Sequence, residues 1–144
     1  MKNYMTYGNS ELFGVNIRYF AEEEMKIGDI LYADSSNPIL ASKKPHGAPI
    51  GISLNNVVIP EKGMENYLPN PYDRYELPHG SKISIMEKGE IVGKFPKWWK
   101  LPVGQRLYYD SERDKLTWRR TPIKYGKTSS SQDELGFVKI RISF

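Results

Sequence analysis

Two aspartates stand in matching phrases of the sequence and are its most evident candidates for chemistry. The phrases are "MKIGDILYADS" at residues 25–35 and "LPVGQRLYYDS" at residues 101–111. At an offset of 76 residues Asp34 falls on Asp110, and a pair of carboxylates is the usual acid and base of hydrolases. Each aspartate also stands where the turn at the end of a strand favours one, and neither has an evident partner residue nearby. We therefore favour turn roles and expect no enzyme.

The other residue types that carry chemistry point to no further site. His46 and His79 stand beside proline and glycine, in "KPHGAP" and "LPHGSK", without the close spacing of a two-histidine metal site. The sequence has no cysteine, which excludes thiol chemistry and cysteine-based zinc sites. The "GKT" at Gly126 is not a phosphate-binding loop, because Thr121 stands where that motif needs a glycine. We expect neither a metal nor another cofactor.

The composition is typical of one β-rich domain with much surface. Of 144 residues, 39% are hydrophobic, and ten prolines and twelve glycines break the chain into short segments. The net charge is +4, and the basic residues are densest over residues 94–127. Such a cluster suits nucleic acid or an acidic protein surface. No stretch has the apolar run of a signal peptide or a membrane span, so we expect synthesis in the cytoplasm and no membrane partner.

The elements that must position these residues have the period-two pattern of strands. "FVKIRISF", residues 137–144, predicts a strand with one buried and one exposed face. "KISIMEKGEIVGKF", residues 82–95, predicts a hairpin that turns at Lys88-Gly89. "PIGISLNNVVI", residues 49–59, predicts a strand and a turn near Asn55-Asn56. Short strands at this spacing predict an all-β fold, either a small β-sandwich or a barrel.

The two matching phrases belong to a unit that occurs twice. Each copy has a glycine, a short strand with Leu-Tyr, and an Asp-Ser that ends the strand in a turn. A second strand follows, with Leu40 in the first copy and Leu116 in the second. An apolar-Gly-apolar strand start comes next, at Gly51 and at Gly136. We therefore predict a fold built from two similar turn-strand units.

Two segments fall outside the repeated unit. Residues 1–20 are predicted to be an N-terminal arm or a first strand. Four residues alternate there as in a core strand: Phe13, Val15, Ile17 and Tyr19. Residues 60–80 are rich in proline, tyrosine and charge without any periodicity, which predicts a long loop that leaves the β core. Residues 21–144 are predicted to be a single β domain with this excursion.

Five phrases follow one another in a recognisable order over residues 27–144. They are "GDILYAD", "PIGI", "ISI" with "GEI", "PVGQRLYYD" with "KLT", and "LGFVKIRI". This order resembles that of the small decoration, or cement, proteins of tailed-phage capsids. Gln105 replaces the aspartate usual in that family, the loop at residues 60–80 is long, and the segment before residue 25 has no match.

The resemblance implies a non-enzymatic structural protein of a virion. Such a protein would sit on the outer surface of an icosahedral shell and reinforce it by bridging subunits of the major capsid protein. Its implied partners are the major capsid protein and, as a trimer, further copies of itself. It would be made in the host cytoplasm and end on the capsid surface.

A protein of this kind needs exposed aromatic and basic anchors rather than a deep pocket. Three segments offer them: the N-terminal arm, the loop at residues 60–80 and the segment "KFPKWWKLP". The candidate partner-binding residues are Tyr4, Tyr7, Phe13, Tyr67, Tyr72, Arg74, Lys97, Trp98, Trp99 and Lys100. Adjacent residues of a strand point to opposite faces, so we expect one of the two tryptophans in the core and the other exposed.

Two other functions remain open from the sequence. The basic, aromatic residues 94–120 suit a single-stranded nucleic-acid-binding β-barrel, although a net charge of only +4 favours a protein partner over nucleic acid. The tyrosines and tryptophans also suit a carbohydrate-binding module on a virion, because aromatic rings stack on sugar rings.

Overall fold

The structure is a computed structural model that describes residues 3–7, 14–59 and 76–144. In chain order its described elements are β1 Tyr4–Tyr7, β2 Gly14–Asn16, β3 Phe20–Ala21, β4 Ile30–Ala33, β5 Leu40–Ser42, β6 Gly51–Ser53, β7 Asn56–Val58, β8 Glu76–Pro78, β9 Ser81–Lys82, β10 Ile85–Lys94, the 3-10 helix η1 Lys97–Trp99, β11 Arg106–Asp110, β12 Lys115–Thr117, β13 Ile123–Thr128 and β14 Phe137–Ser143. The described ranges contain no α-helix, so the prediction of an all-β fold is confirmed for them. Within the same ranges no helix is long and apolar enough to cross a membrane.

The chain divides into two compact units. The middle unit comprises Val15–Glu87, and the terminal unit comprises Met1–Gly14 together with Lys88–Phe144. The predicted division into residues 1–20 and 21–144 stays a prediction. Residues 60–75 of the predicted excursion lie outside the described residues, and Glu76–Pro78 forms β8.

The middle unit contains a mixed sheet. Its strands lie in the order β10-β6-β4-β5-β3-β9, where β10 takes part through Ile85 and Met86. The pair β3–β5 is parallel and the other pairs are antiparallel. Strands β7 and β8 form a separate parallel pair, which an isolated bridge from Val57 to Met25 ties to the preceding chain. Burial of apolar side chains between these elements supplies the stabilising force.

Apolar residues from most of these strands form the core of the middle unit. The cluster consists of Ala21, Met25, Leu31, Ala41, Val57, Ile83 and Ile85, with Tyr19, Ile50 and Leu77 packed against it. The predicted core strand through Val15, Ile17 and Tyr19 is wrong for the first two, which are exposed by 40% and 59%. The alternation ends because the Asn16 side-chain oxygen accepts a hydrogen bond from the Arg18 backbone N–H at 2.9 Å, a local turn that stops β2. Phe13 lies outside the described residues.

The terminal unit contains an antiparallel sheet in the order β12-β11-β13-β14-β10-β1. Strand β14 alternates as the sequence predicts, with Val138, Ile140 and Ile142 buried and the residues between them more exposed. Strand β1 pairs with residues 91–94 of β10, and Met5 is buried there.

The barrel alternative is wrong for the part of the chain that the structure describes. No ladder joins the outer strands of either described sheet, so both sheets stay open. In the terminal unit the side-chain oxygen of Asn3, just before β1, accepts a hydrogen bond from the Leu116 backbone N–H of β12. This bond uses the backbone N–H in the middle of β12. An additional strand at this edge of the sheet would therefore find one hydrogen-bond donor fewer.

The predicted hairpin at residues 82–95 is also wrong. Lys88 and Gly89 lie inside β10, a continuous strand of ten residues, instead of turning the chain. They pair with Ser143 and Ile142 of β14. The Lys-Gly pair has the local pattern of a turn, but β14 pairs with the whole of residues 88–94. These long-range hydrogen bonds outweigh the local turn preference and keep the strand continuous.

The repeated unit is present in both halves as a β-hairpin. Gly28 and Gly104 have φ of 96° and 82°, the left-handed region that glycine adopts at little cost, and each precedes the first strand, β4 or β11. The second strand, β5 or β12, pairs antiparallel with the first. The correspondence includes the strands beyond, because the order β5-β4-β6-β10 in the middle unit matches β12-β11-β13-β14 in the terminal unit.

Backbone hydrogen bonds fix the same correspondence. The Gly28 N–H donates to the Ser53 carbonyl at 2.8 Å, and the Gly104 N–H donates to the Thr128 carbonyl at 2.9 Å. In return the Ser53 N–H donates to the Asp29 carbonyl, and the Thr128 N–H donates to the Gln105 carbonyl, both at 2.9 Å. The same pair of backbone hydrogen bonds thus joins the chain before β4 to the end of β6, and the chain before β11 to the end of β13.

Two of the predicted correspondences need correction. Leu31 pairs with Gly51, and its equivalent Leu107 pairs with Gly126, so the counterpart of Gly51 is Gly126 in β13 and not Gly136. Gly126 therefore belongs to strand β13.

The second correction concerns the hairpin turn. Ala33 pairs with Ala41 and Tyr109 pairs with Leu116, so the counterpart of Leu116 is Ala41 rather than Leu40. The hairpin turn of the terminal unit is one residue shorter than that of the middle unit. The offset of 76 residues that aligns the first strands therefore misaligns the second strands by one residue.

Candidate functional site

The tryptophan segment of the terminal unit follows β10 and forms η1. Pro96 precedes this short helix, and Lys100 ends it in a left-handed conformation with φ of 48°. Trp99 stacks on the buried Phe95 ring, with 5.2 Å between ring centroids and 17° between planes. Trp98 meets Trp99 edge-on at 6.3 Å and stays 72% exposed. The expectation of one exposed tryptophan holds for Trp98, but the expected core tryptophan is wrong: Trp99 is only half-buried, because the segment is a short helix and not a strand with two opposite faces.

Gln132 holds the tryptophan segment in place. Its side-chain N–H group lies within hydrogen-bond distance of three carbonyl oxygens, those of Phe95 at 3.0 Å, Pro96 at 3.1 Å and Gly136 at 3.2 Å. Its side-chain oxygen accepts from the Leu101 N–H at 3.1 Å. One amide thus binds both ends of η1, which fixes where the tryptophans stand.

Gly136 lets the chain pass close to the same segment. Its φ is 95°, and a Cβ atom at this position would lie 2.5 Å from the Phe95 carbonyl oxygen. The Phe95 N–H donates to the Gly136 carbonyl at 3.0 Å. The apolar-Gly-apolar phrase at Gly136 therefore serves the tryptophan segment and not the repeated unit.

The β11–β12 hairpin forms the facing wall. Asp110 ends β11, and its Oδ1 atom accepts from the Glu112 N–H at 3.1 Å and the Arg113 N–H at 3.2 Å. These bonds close the turn that the sequence predicts. The Arg113 side chain lies 4.0 Å from the other Asp110 oxygen, an exposed ion pair of little energetic weight.

A groove of about 420 Å³ lies between these elements, and we call it the Trp98 groove. Three tryptophans line it: Trp98, Trp99 and Trp118. Four cationic side chains also line it: Arg113, Lys115, Arg119 and Arg120. Two carboxylates, those of Asp110 and Glu112, lie among them. The groove therefore combines ring faces with a net positive charge, a combination that favours an anionic partner with apolar or planar groups.

The second wall of the groove is also ordered by local bonds. Trp118 is 40% exposed, and the Arg119 guanidinium lies over its ring at 5.4 Å. The Arg119 N–H donates to the Thr117 hydroxyl at 3.1 Å. Thr121 donates its hydroxyl to the Tyr109 carbonyl at 2.7 Å, which returns the chain to β11.

The middle unit has a smaller concavity at the equivalent place. It holds about 90 Å³ and is lined by Asp34, Ser35, Ser42, Lys44, Pro45 and His46. The Lys44 N–H donates to the Ser42 hydroxyl at 3.1 Å, the counterpart of the Arg119–Thr117 bond. The repeated unit thus forms the same depression twice, and only the terminal unit lines it with tryptophan.

Asp34 is engaged in the turn of its own hairpin. Its Oδ2 atom accepts from the Ser36 hydroxyl at 2.7 Å and from the backbone N–H groups of Asn37 at 2.9 Å and Ser36 at 3.1 Å. These bonds to the charged form, the Ser36 hydroxyl first, lower the pKa of Asp34 below its usual 3.8. A low pKa suits a fixed turn acceptor and not a proton donor at neutral pH.

The histidines and acidic residues of the described ranges form no metal-like cluster. Over residues 3–7, 14–59 and 76–144, no three histidine or acidic side chains converge as ligands would. His46 and His79 are exposed in loops, as predicted.

The predicted partner-binding residues are only partly brought together. Trp98 and Trp99 line the groove, and Lys97 and Lys100 flank them in the chain as exposed residues. Tyr4 and Tyr7 are the ends of β1. Phe13, Tyr67, Tyr72 and Arg74 lie outside the described residues.

Several groove residues were not predicted as binding residues. Arg113, Arg119 and Arg120 reach the groove from the hairpin turn and the chain after β12. The density of basic and aromatic residues over 94–127 indicated the region, but the groove also depends on the β11–β12 ladder and on the bonds of Gln132 and Gly136 to the tryptophan segment. The sequence did not mark Gln132 as important, because the bonds by which it holds η1 reach residues more than thirty positions away.

Comparison with known proteins adds no relative to this description. No protein-family model matches the chain, and no curated protein sequence matches it significantly.

Proposed function

We propose that the chain is a non-enzymatic viral structural protein that decorates an icosahedral capsid and reinforces it by bridging major capsid subunits. The observation that carries the proposal is the duplicated hairpin unit, in which the phrases that resemble phage decoration proteins recur in matching strands. In this proposal the protein sits on the outer surface of the virion and associates with further copies of itself. The sandwich form of the fold stays part of the proposal.

The residues that repeat support a scaffold role. Gly28 and Gly104 provide positive φ, Gly51 and Gly126 provide close strand packing, and the paired aspartates close turns. Each of these roles is explained by turn or strand geometry. The residues that the two copies share therefore account for shape, and function is expected where the copies differ.

The duplication also suits a lattice of identical subunits. A shell repeats one subunit many times, and a chain with two copies of one unit offers two related surfaces to such a lattice. The terminal unit adds exposed aromatic and arginine side chains, the types that dominate binding energy at protein interfaces.

Heating of virus particles tests the reinforcement. Particles assembled with the chain are compared with particles from the same genome lacking its gene, and genome release is followed with a DNA dye. We expect release at a lower temperature without the chain, restored by adding the purified protein. Equal release temperatures with normal incorporation would contradict reinforcement.

Single-stranded nucleic-acid binding is the second candidate. It is favoured by Trp98 and Trp118, which expose ring faces beside Arg119 as base stacking and phosphate contacts require. A titration with a fluorescent dT oligonucleotide at two salt concentrations tests it, because phosphate contacts make affinity fall steeply with salt. Absence of binding at low salt would remove this candidate.

A further inference from the structure

We propose that the Trp98 groove is the site where the chain holds an acidic segment of the shell protein. This inference rests on the proposed function and adds the residues and the partner chemistry. The groove is the feature that distinguishes the terminal unit from its counterpart, since the equivalent depression of the middle unit is smaller and has no tryptophan.

The exposed ring of Trp98 is the first argument. Tryptophan is one of the side chains that most often carries interface energy, and a ring 72% exposed has most of its surface left to bury. The ring is not loosely attached, because its neighbour Trp99 stacks on the buried Phe95. A partner therefore meets an anchor that is already positioned, and this lowers the entropy lost on binding.

Charge is the second argument, and it favours a net acidic partner. Arg113, Lys115, Arg119 and Arg120 outnumber the two carboxylates of the groove. Arg119 is held over the Trp118 ring at 5.4 Å, and the stacked guanidinium can still bind a carboxylate at its edge. Negative side chains on the partner would thus meet several cations beside an apolar surface, with Arg119 held over the Trp118 ring.

The two carboxylates decide between protein and nucleic acid. Asp110 lies at the base of the hairpin turn and Glu112 within the turn, both on the groove wall. A continuous phosphate backbone would have to pass both negative charges, whereas a protein segment carries charges of either sign and can avoid them. The mixed charges of the groove therefore favour an acidic protein segment.

Co-sedimentation with shell particles assembled without the chain tests this inference. Full-length wild type is compared with Trp98→Ala and with the double variant Arg119→Gln/Arg120→Gln. The controls are Leu135→Ala, another exposed apolar residue of the terminal unit, and Arg106→Gln/Arg141→Gln, which removes the same charge from exposed strand positions. Thermal melting checks that each variant is folded.

We expect Trp98→Ala to weaken binding to the particles by about tenfold or more, as loss of a central anchor does. The Arg119→Gln/Arg120→Gln variant should bind more weakly and respond less to added salt, while both controls stay close to wild type. If wild type binds and both groove variants bind as tightly, the inference that the Trp98 groove is the binding site is wrong. The proposed function would not be affected by that result. Failure of wild type to bind any particle would overturn both.

A fluorescent dT oligonucleotide serves as the second probe. If it binds wild type more tightly than the particles do and this binding is lost in Trp98→Ala, then the occupant of the groove is nucleic acid and the acidic-segment inference is wrong.

Discussion

Single glycines decide how closely the third strand of each repeated unit can pack. A Cβ atom at Gly51 would lie 2.5 Å from the Met86 carbonyl oxygen, and one at Gly126 would lie 2.5 Å from the Arg141 carbonyl oxygen. The two positions are equivalent and both press against backbone, which cannot move aside as a flexible side chain would. Both units therefore need a residue without a Cβ atom at this position, and both have glycine there.

We expect Gly126→Ala to lower the free energy of unfolding by about 1–3 kcal/mol, because the added methyl group overpacks the sheet. Gly47→Ala is the control: it has a left-handed φ of 67° but no atom within 4 Å of the new Cβ. Its cost is expected to be about 1–2 kcal/mol, from backbone conformation alone.

Urea denaturation of wild type and both variants measures these free energies. Gly126 has no positive φ, so left-handed backbone strain does not contribute to the effect of Gly126→Ala. A Gly126→Ala protein as stable as wild type would show that β13 and β14 are less closely packed than described.

Asp34 makes a prediction about acid stability. Its pKa is lowered in the folded protein, mainly by the Ser36 hydroxyl. A carboxyl with a lowered folded pKa stabilises the fold fully above its unfolded pKa, and this contribution is lost as the pH falls through the folded value. The loss is therefore expected below about pH 3.8, the ordinary value for the group.

Unfolding curves of wild type and Asp34→Asn, recorded from pH 6 to pH 2, test this expectation. The two proteins should differ most above pH 4 and converge as the pH falls, since the amide does not titrate. Ser36→Ala should reduce the difference. A constant difference across the whole range would show that the Asp34 carboxylate gains nothing from its turn.

At the scale of elements, the sequence predicted the two hairpins of the repeated unit, but it placed a false hairpin at residues 82–95 and predicted strand partners poorly. Both Asp-Ser turns are where the phrases placed them, because a glycine before the strand and an aspartate after it act on their own neighbourhood. The partner of Leu107 is Gly126, nineteen residues away, and Gly136 fitted the same phrase equally well. Local pattern defines a strand, but only packing of the complete sheet selects its neighbour.

The continuity of β10 contradicts the turn that the sequence predicts at Lys88-Gly89. Lys88 and Ser143 are paired residues if the strand is continuous, and the chain contains no cysteine that would interfere with a crosslink. We therefore expect Lys88→Cys/Ser143→Cys to form a disulfide under mild oxidation.

Lys88→Cys/Lys139→Cys is the control, because Lys139 pairs with Val92 and lies four residues along the ladder. It should stay reduced under the same conditions. Equal crosslinking of the two double variants, or crosslinking of neither, would argue for a turn at Lys88-Gly89.

The candidate site was predictable in composition and not in geometry. The adjacent tryptophans marked the segment, but their different environments come from the stack of Trp99 on Phe95 and not from the strand rule used to predict them. The short helix η1, the amide of Gln132 and the approach of Gly136 depend on contacts between distant parts of the chain. No local signal in the sequence predicts them.

Truncation of Trp99 should destabilise the fold much more than truncation of Trp98. Trp99→Ala removes the stack on Phe95 and is expected to cost about 2 kcal/mol of stability, less than a fully buried tryptophan, since Trp99 is half-buried. Trp98→Ala should change stability by less than about 0.5 kcal/mol, as exposed positions do. Thermal unfolding of the two variants measures this, and equal destabilisation would contradict the described arrangement of the rings.

At the scale of the whole molecule, one hairpin unit has been used twice and then modified. The glycines, the turn-closing aspartates and the strand order agree between the copies, although one turn is a residue shorter. The two depressions beside the hairpins share the Ser42 or Thr117 bond. The copies differ in size of the depression and in its tryptophans. We interpret the shared part as scaffold and the tryptophan-lined part as the surface that contacts the shell.

Electron cryomicroscopy of decorated and undecorated particles tests the central claim most directly. Purified chain is added to particles assembled without it, and the two reconstructions are subtracted. The account predicts difference density on the outer surface that contacts at least two capsid subunits, with the terminal unit against the shell. Normal shells with no difference density, although the chain is present in excess, would contradict it.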